Sequence, residues 1–306
     1  MKRRLSAPAL LLLAFVLVRP AAGQERPGDR PAFYLGLNMV IGGASAVAHS
    51  LLAANDVDPL KAFAGGVLGG AVTFGGQELA STGTPALRLP GIQLAAVGSN
   101  LARNAGRGVG PLSDLVFPLH PFYVRIRPGT ADPVSVRLSL LSAVSLLEAA
   151  AAADRFDARM DVKQTLLTGA PVFRSSSSYI YPFAGDTHAA CAHGEPCTGW
   201  ASGFHRNGVS WYTTGGRSPE NSANVLTHEA LHLTQVNRDV ILHAIPASDA
   251  ALGALGGPLA WLTRYLVVDV YQPLTGLNEL LSAGAGSSDG PALRPYEREV
   301  RALTGG

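Results

Sequence analysis

His228-Glu229-Ala230-Leu231-His232, followed by Leu233-Thr234-Gln235, is the stretch that decides how the chain is read. Two histidines four residues apart leave a helix in nearly the same direction, because a turn takes about 3.6 residues. Their imidazoles can then grip a single metal ion. The glutamate between them stands beside the ion's open position, where it can take a proton from a water. The competing reading is two histidines and a glutamate on a solvated helix face.

The flanking sequence independently predicts a helix. Ser218 suits the N-cap, Pro219 the first helical position, and Glu220 the positive end of the helix dipole. The helix is expected to run to about Val236. Asn221, Val225, His228, His232, Gln235 and Asp239 then share one face by steps of three and four. Ala223, Leu226, Ala230 and Leu233 lie on another side, ready to bury against a sheet.

Residues 228–235 resemble the HExxHxxQ segment of bacterial metallopeptidase domains of the gluzincin type. The resemblance implies a zincin-like domain over residues 121–306 and a Zn2+ cofactor held by His228, His232 and a later glutamate. In Pro295-Tyr296-Glu297-Arg298-Glu299-Val300-Arg301, Glu297 takes the ligand's place, with Glu299 as fallback; Glu279, after Asn278, is a third option. The segment departs from the family pattern at Arg301, where an acid that orients a metal-bound histidine is frequent. A ligand six residues beyond His232, as metzincins need, would be Arg238, which cannot bind zinc. The resemblance covers residues 228–235 and 295–301 only.

On this reading the chain is an exported zinc-dependent peptidase acting on a peptide or protein substrate. Glu229 would be its general base. His243, Tyr265, Tyr271 and Tyr296 are candidate donors to the developing oxyanion. Val209–Thr213, if it lies at a sheet edge, could pair with an extended substrate. The alternative is a non-enzymatic cell-envelope protein with a vestigial or structural metal site.

Composition bounds the rest. Hydrophobic residues make up 47 % of the 306 and charged ones 15 %, with a formal net charge of +2. No lysine- and arginine-rich face stands out, which argues against a nucleic-acid partner. Lys2-Arg3-Arg4, a short apolar core and Ala21-Ala22-Gly23 read as a signal peptide over residues 1–23, placing the mature chain in the periplasm or cell envelope. Cys191 and Cys197 then suit a disulfide. The competing use of these two with His188, His193 and His205 as a second metal site matches no strong spacing.

The fold class is read as α+β. Residues 31–105 form a Gly/Ala-rich helical module, with uncharged runs at 31–55, 62–77 and 89–102. Its Gly65-Gly66 and Gly69-Gly70 let helices approach closely, and association with a membrane through this module is an open alternative to burial. His49 is expected to be hydrogen-bonded within the bundle. Residues 106–121 read as a linker. A small antiparallel sheet follows, from residues 122–127, 134–140, 162–167 and 171–174. Val134, Val136 and Leu138 form the apolar half of an alternating strand. Residues 149–153 lean to helix, and residues 182–208 read as irregular.

Overall fold

A computed structural model describes residues 31–52, 57–154, 157–176, 203–215, 218–246, 265–267, 300 and 303–304. The signal peptide, Cys191, Cys197, Glu279, Glu297, Glu299, Tyr271 and Tyr296 lie outside the described residues.

The three uncharged runs fall on three helices, α1 (Pro31–Leu52), α2 (Pro59–Ser81) and α3 (Pro85–Arg107). Asp58 caps α2, its carboxylate accepting from the Leu60 N–H at 2.9 Å, and prolines occupy the first turns of α2 and α3. The antiparallel helices touch backbone to backbone. A Cβ on Gly70 of α2 would fall inside the Asn38 carbonyl of α1, so only glycine fits there. Buried Asn38 donates to the Gln77 side chain at 3.2 Å across this contact.

Two four-stranded sheets follow. The first, in the order β1 (Leu115–Leu119), β2 (Phe122–Ile126), β3 (Val134–Ser139), β8 (Leu266–Val267), is antiparallel except for the β3–β8 pair. The second has the order β4 (Ala158–Met160), β5 (Val172–Ser175), β7 (Val209–Thr213), β6 (Gly203–Arg206), with β5 and β7 parallel. Between the strands run α4 (Leu140–Ala152) and α5 (Val162–Thr168). Helix α6 (Pro219–Asp239) follows β7 and passes into a π-helix at Val240–Ala244.

The α+β class and the helical N-terminal region match the sequence reading; several local expectations need correction. The expected single antiparallel sheet is two mixed sheets. The expected linker contains strand β1, whose Pro118 is tolerated because β1 is an edge strand. The strand expected at residues 162–167 is helix α5. Asp161 caps it, accepting from the Gln164 N–H at 3.0 Å, and left-handed Gly169 ends it. The β-branched and apolar residues of this short segment are outweighed by those end signals.

Strand β3 has the expected period but the opposite sense: Val134 and Val136 are 59 % and 51 % exposed. The inward side of the first sheet carries Val116, Tyr123 and Arg125 instead. Arg125 makes a bidentate pair with buried Asp114 at 2.8 and 2.6 Å, joined by Arg103 and Arg107 of α3. Burial opposes the charge on Asp114, but the three guanidiniums outweigh it and hold the carboxyl well below its ordinary range. Alternation fixes which residues share a face, not which face turns inward.

The core is shared between all these elements. One cluster joins Ala96 of α3, Val116 and Tyr123 of the first sheet, Val236 of α6, and Ile241 and Ile245 just beyond it. A second joins Ala80, Ile92, Ala170, Leu231, Leu233 and Val300. A third packs Ala149 of α4 on Phe173 and Trp211, and a fourth packs Leu226 of α6 on Val172 and Tyr212. The second sheet thus lies between α4 and α6.

The helix contact gives a direct test by thermal or denaturant unfolding. Gly70→Ala must displace the Asn38 backbone and should cost about 1–3 kcal/mol. Gly75 faces open space, so Gly75→Ala should stabilise by about 0.5–1 kcal/mol through helix propensity.

Candidate functional site

Helix α6 begins as the sequence predicts. Ser218 is its N-cap, accepting from the Asn221 N–H at 3.2 Å, and Pro219 opens the first turn. The expected end near Val236 moves on to Asp239. Of the apolar flank, Leu226 packs on the second sheet, but Ala230 and Leu233 pack on α2 and α3.

His228 and His232 are half-buried on α6. Their rings lie 4.9 Å apart at 74°, with the two Nε2 atoms 3.2 Å from each other. Two nitrogens of a tetrahedral zinc site, each about 2.0–2.1 Å from the ion, stand roughly 3.3 Å apart. Gln235, buried one turn on, accepts from His232 Nδ1 at 2.9 Å through its Oε1. That bond puts the His232 proton on Nδ1 and turns the Nε2 lone pair toward His228. The HxxQ spacing is the sequence signal for it.

Glu229 is buried between α6 and the edge of the second sheet. A Cβ on Gly203 of β6 would meet its Oε1 at 2.5 Å, so β6 approaches the carboxylate as closely as a strand can. Val209–Thr213, which could pair with an extended substrate only at a sheet edge, is an interior strand paired on both sides; β4 and β6 are the outer strands of this sheet among the described residues.

Strand β6 also brings His205 to the site. Its ring lies 6.5 Å from that of His232 at 27°. Nε2 accepts the Gly208 N–H at 3.3 Å, which leaves Nδ1–H to donate to Ser210 Oγ at 2.9 Å. Burial, with His232 and His120 adding, holds this imidazole well below its usual range, so it is neutral. The sequence reading left His205 in an irregular loop. The overlooked signal was Asn207-Gly208, whose φ angles of 48° and 83° form the tight hairpin between β6 and β7.

That hairpin rests on His120. A side chain on Gly208 would overlap the His120 ring. His120 Nε2–H donates to Asn237 of α6 at 2.7 Å, and Nδ1 accepts from Ser142 at 3.0 Å. Arg88 of α3 holds the other end of α6, donating to Thr227 at 3.0 Å and to the Ala223 carbonyl at 3.3 Å.

Of the candidate oxyanion donors, Tyr265 and His243 are among the described residues. Tyr265 is half-exposed before β8, and His243 sits on the π-helix with its pKa lowered by burial. Among the described residues no group of three or more His, Cys, Asp or Glu converges as a metal cage. The expected third ligand, Glu297 or Glu299, falls outside them.

His120 gives the site a pH dependence. Burial lowers its pKa from 6.5 to about 4. The unfolded chain therefore takes up this proton below pH 6.5 while the fold resists until about 4. The His120 contribution should be flat above pH 6.5 and be lost, by about 3 kcal/mol, as the pH drops to 4; below that, protonation of Asp114 keeps stability falling. Denaturant midpoints across that range should show the slope, reduced in His120→Gln. Comparison of the chain with family models, curated proteins and solved structures finds no match, so function has to come from the chemistry of these side chains.

Proposed function

We propose that the chain is an exported zinc-dependent peptidase whose centre is on α6. The observation that carries this is the 3.2 Å approach of the His228 and His232 Nε2 atoms, with Gln235 fixing the second ring from behind. The donors fit zinc in kind and spacing: two imidazole nitrogens, one oriented by a buried amide, with a carboxylate alongside.

His228 and His232 would hold the ion, and Glu297, with Glu299 as fallback, would complete the set. Support for the return of the tail is Val300, buried against the Leu231 and Leu233 cluster three residues after Glu297. A bound Zn2+ supplies Lewis acidity and brings the pKa of a water in its open position close to 7. Glu229 accepts the proton of the attacking water and later delivers it to the leaving amine. The outer edge of β6, beside Glu229 at Gly203, offers backbone groups to an extended peptide. Helix α6 crossing the second sheet next to this strand supports the zincin-like reading of the domain.

Purified protein should carry about one zinc per chain, and Glu229→Gln should keep the metal while hydrolysis falls about 100- to 10,000-fold. Gln235→Leu should weaken zinc binding about 10- to 100-fold with little loss of stability. A folded protein that takes up no zinc would overturn the reading. Metal bound with no effect of Glu229→Gln on any activity would favour a non-enzymatic envelope protein.

A further inference from the structure

The hairpin of α1 and α2 is inside out. A helix on a soluble protein turns its polar side to water. Here the polar Asn38, Ser45 and Ser50 of α1 and Thr73 and Gln77 of α2 are buried. What stands exposed is Gly36, Ala48 and Leu51 on α1, and Ala64, Leu68 and Gly75 on α2, with Leu68 62 % exposed. Helix α1 carries no charge along its 22 residues, a length of about 33 Å. Among the described helices it is the one long and apolar enough to cross a membrane by length and composition. Helix α2 carries charge only near its ends, at Lys61 and Glu78, which leaves a neutral band of about 25 Å between them.

The inner side of the hairpin is already occupied. Arg238 of α6 donates to Asn38 at 2.8 Å, and Gly91, Ala95, Gly98 and Ala102 of α3 pack on α2 at backbone distance. Lipid could not surround the pair, so one face alone is available. That face has neither charge nor side-chain hydrogen-bonding group over its exposed middle. A protein partner would normally be met by a polar rim with hydrogen bonds. A hydrocarbon surface asks for neither.

We propose that the outer face of the α1–α2 hairpin is a membrane-binding surface, seated in the acyl chains of one bilayer leaflet. The protein lies on the membrane with α3, α6 and the sheets on the aqueous side. The absence of basic residues from the band makes the attachment indifferent to anionic lipid. It is also independent of the metal chemistry of α6.

The test is flotation of the full chain with vesicles of phosphatidylcholine, alone or mixed with phosphatidylglycerol. A Cβ at Gly36 or Gly75 meets nothing within 4 Å, so both positions accept a side chain without strain. The double variant Gly36→Glu/Gly75→Glu should melt at or above the wild-type temperature, since glycine is the poorer helix former. Its vesicle binding should fall about tenfold or more, and Leu68→Glu should act in the same direction. The matching Gly36→Leu/Gly75→Leu variant should bind more tightly than wild type. Wild type should float equally well with both vesicle types. The leader is common to every variant, so the differences belong to the hairpin. Equal binding by the Glu and Leu variants would overturn the proposal, as would a wild-type chain that stays in the aqueous fraction. Conversion of a wild-type dimer to monomer by the Glu variants would overturn it in favour of a second copy on this face.

Discussion

The fold depends on satisfying a helix that is polar where it is buried. Thr227, Glu229, Gln235, Asn237 and Arg238 of α6 all lie inside the molecule. Each would cost one to several kcal/mol if left without a partner. Nearly every surrounding element therefore sends a polar group to α6. Arg88 comes from α3, His120 from the turn between β1 and β2, and Asn38 from α1. The apolar clusters then close around the same helix from three sides. Hydrophobic burial sets how tightly α6 is held; the hydrogen bonds fix its rotation, and rotation decides where His228 and His232 point.

The same economy shapes the site. Gly203 removes a side chain exactly where Glu229 needs room, and Gly208 does so over His120. Both belong to the β6–β7 hairpin, whose turn thus rests on a residue bonded to α6. The strand beside the carboxylate and the helix that bears it are held by one short network through His120, Ser142 and Asn237. A disturbance at His120 reaches the site through two elements at once.

Much of this was legible in the sequence. Ser218-Pro219 marked the start of α6, the His-Glu-x-x-His spacing the two imidazoles that share its face, and the glycine pairs the close packing of α1 on α2. Other features required the structure because the local code is silent about them. Alternation in β3 gave the period and not the inward side, which was decided by the distant arginines around Asp114. Residues 162–167 carry too short an apolar pattern to tell strand from helix, and the caps at Asp161 and Gly169 were the better guide. His205 was hidden for a different reason. Its Asn-Gly turn was readable, but its approach to His232 is a tertiary contact between strand and helix that no spacing encodes. The Gln235–His232 bond is the opposite case, a partner three residues away that the helix period makes almost inevitable.

The last carbonyls of a helix lack donors of their own. Beyond α6, the Leu242 carbonyl receives one from His49 Nε2 of α1 at 2.5 Å. The N-terminal hairpin is thereby a covalently attached cap for the helix that bears His228 and His232. A truncated chain beginning after residue 81 would expose not only apolar surface but an unfinished helix end. A force that shifts α1 is therefore felt at the carboxyl end of the helix bearing the histidines.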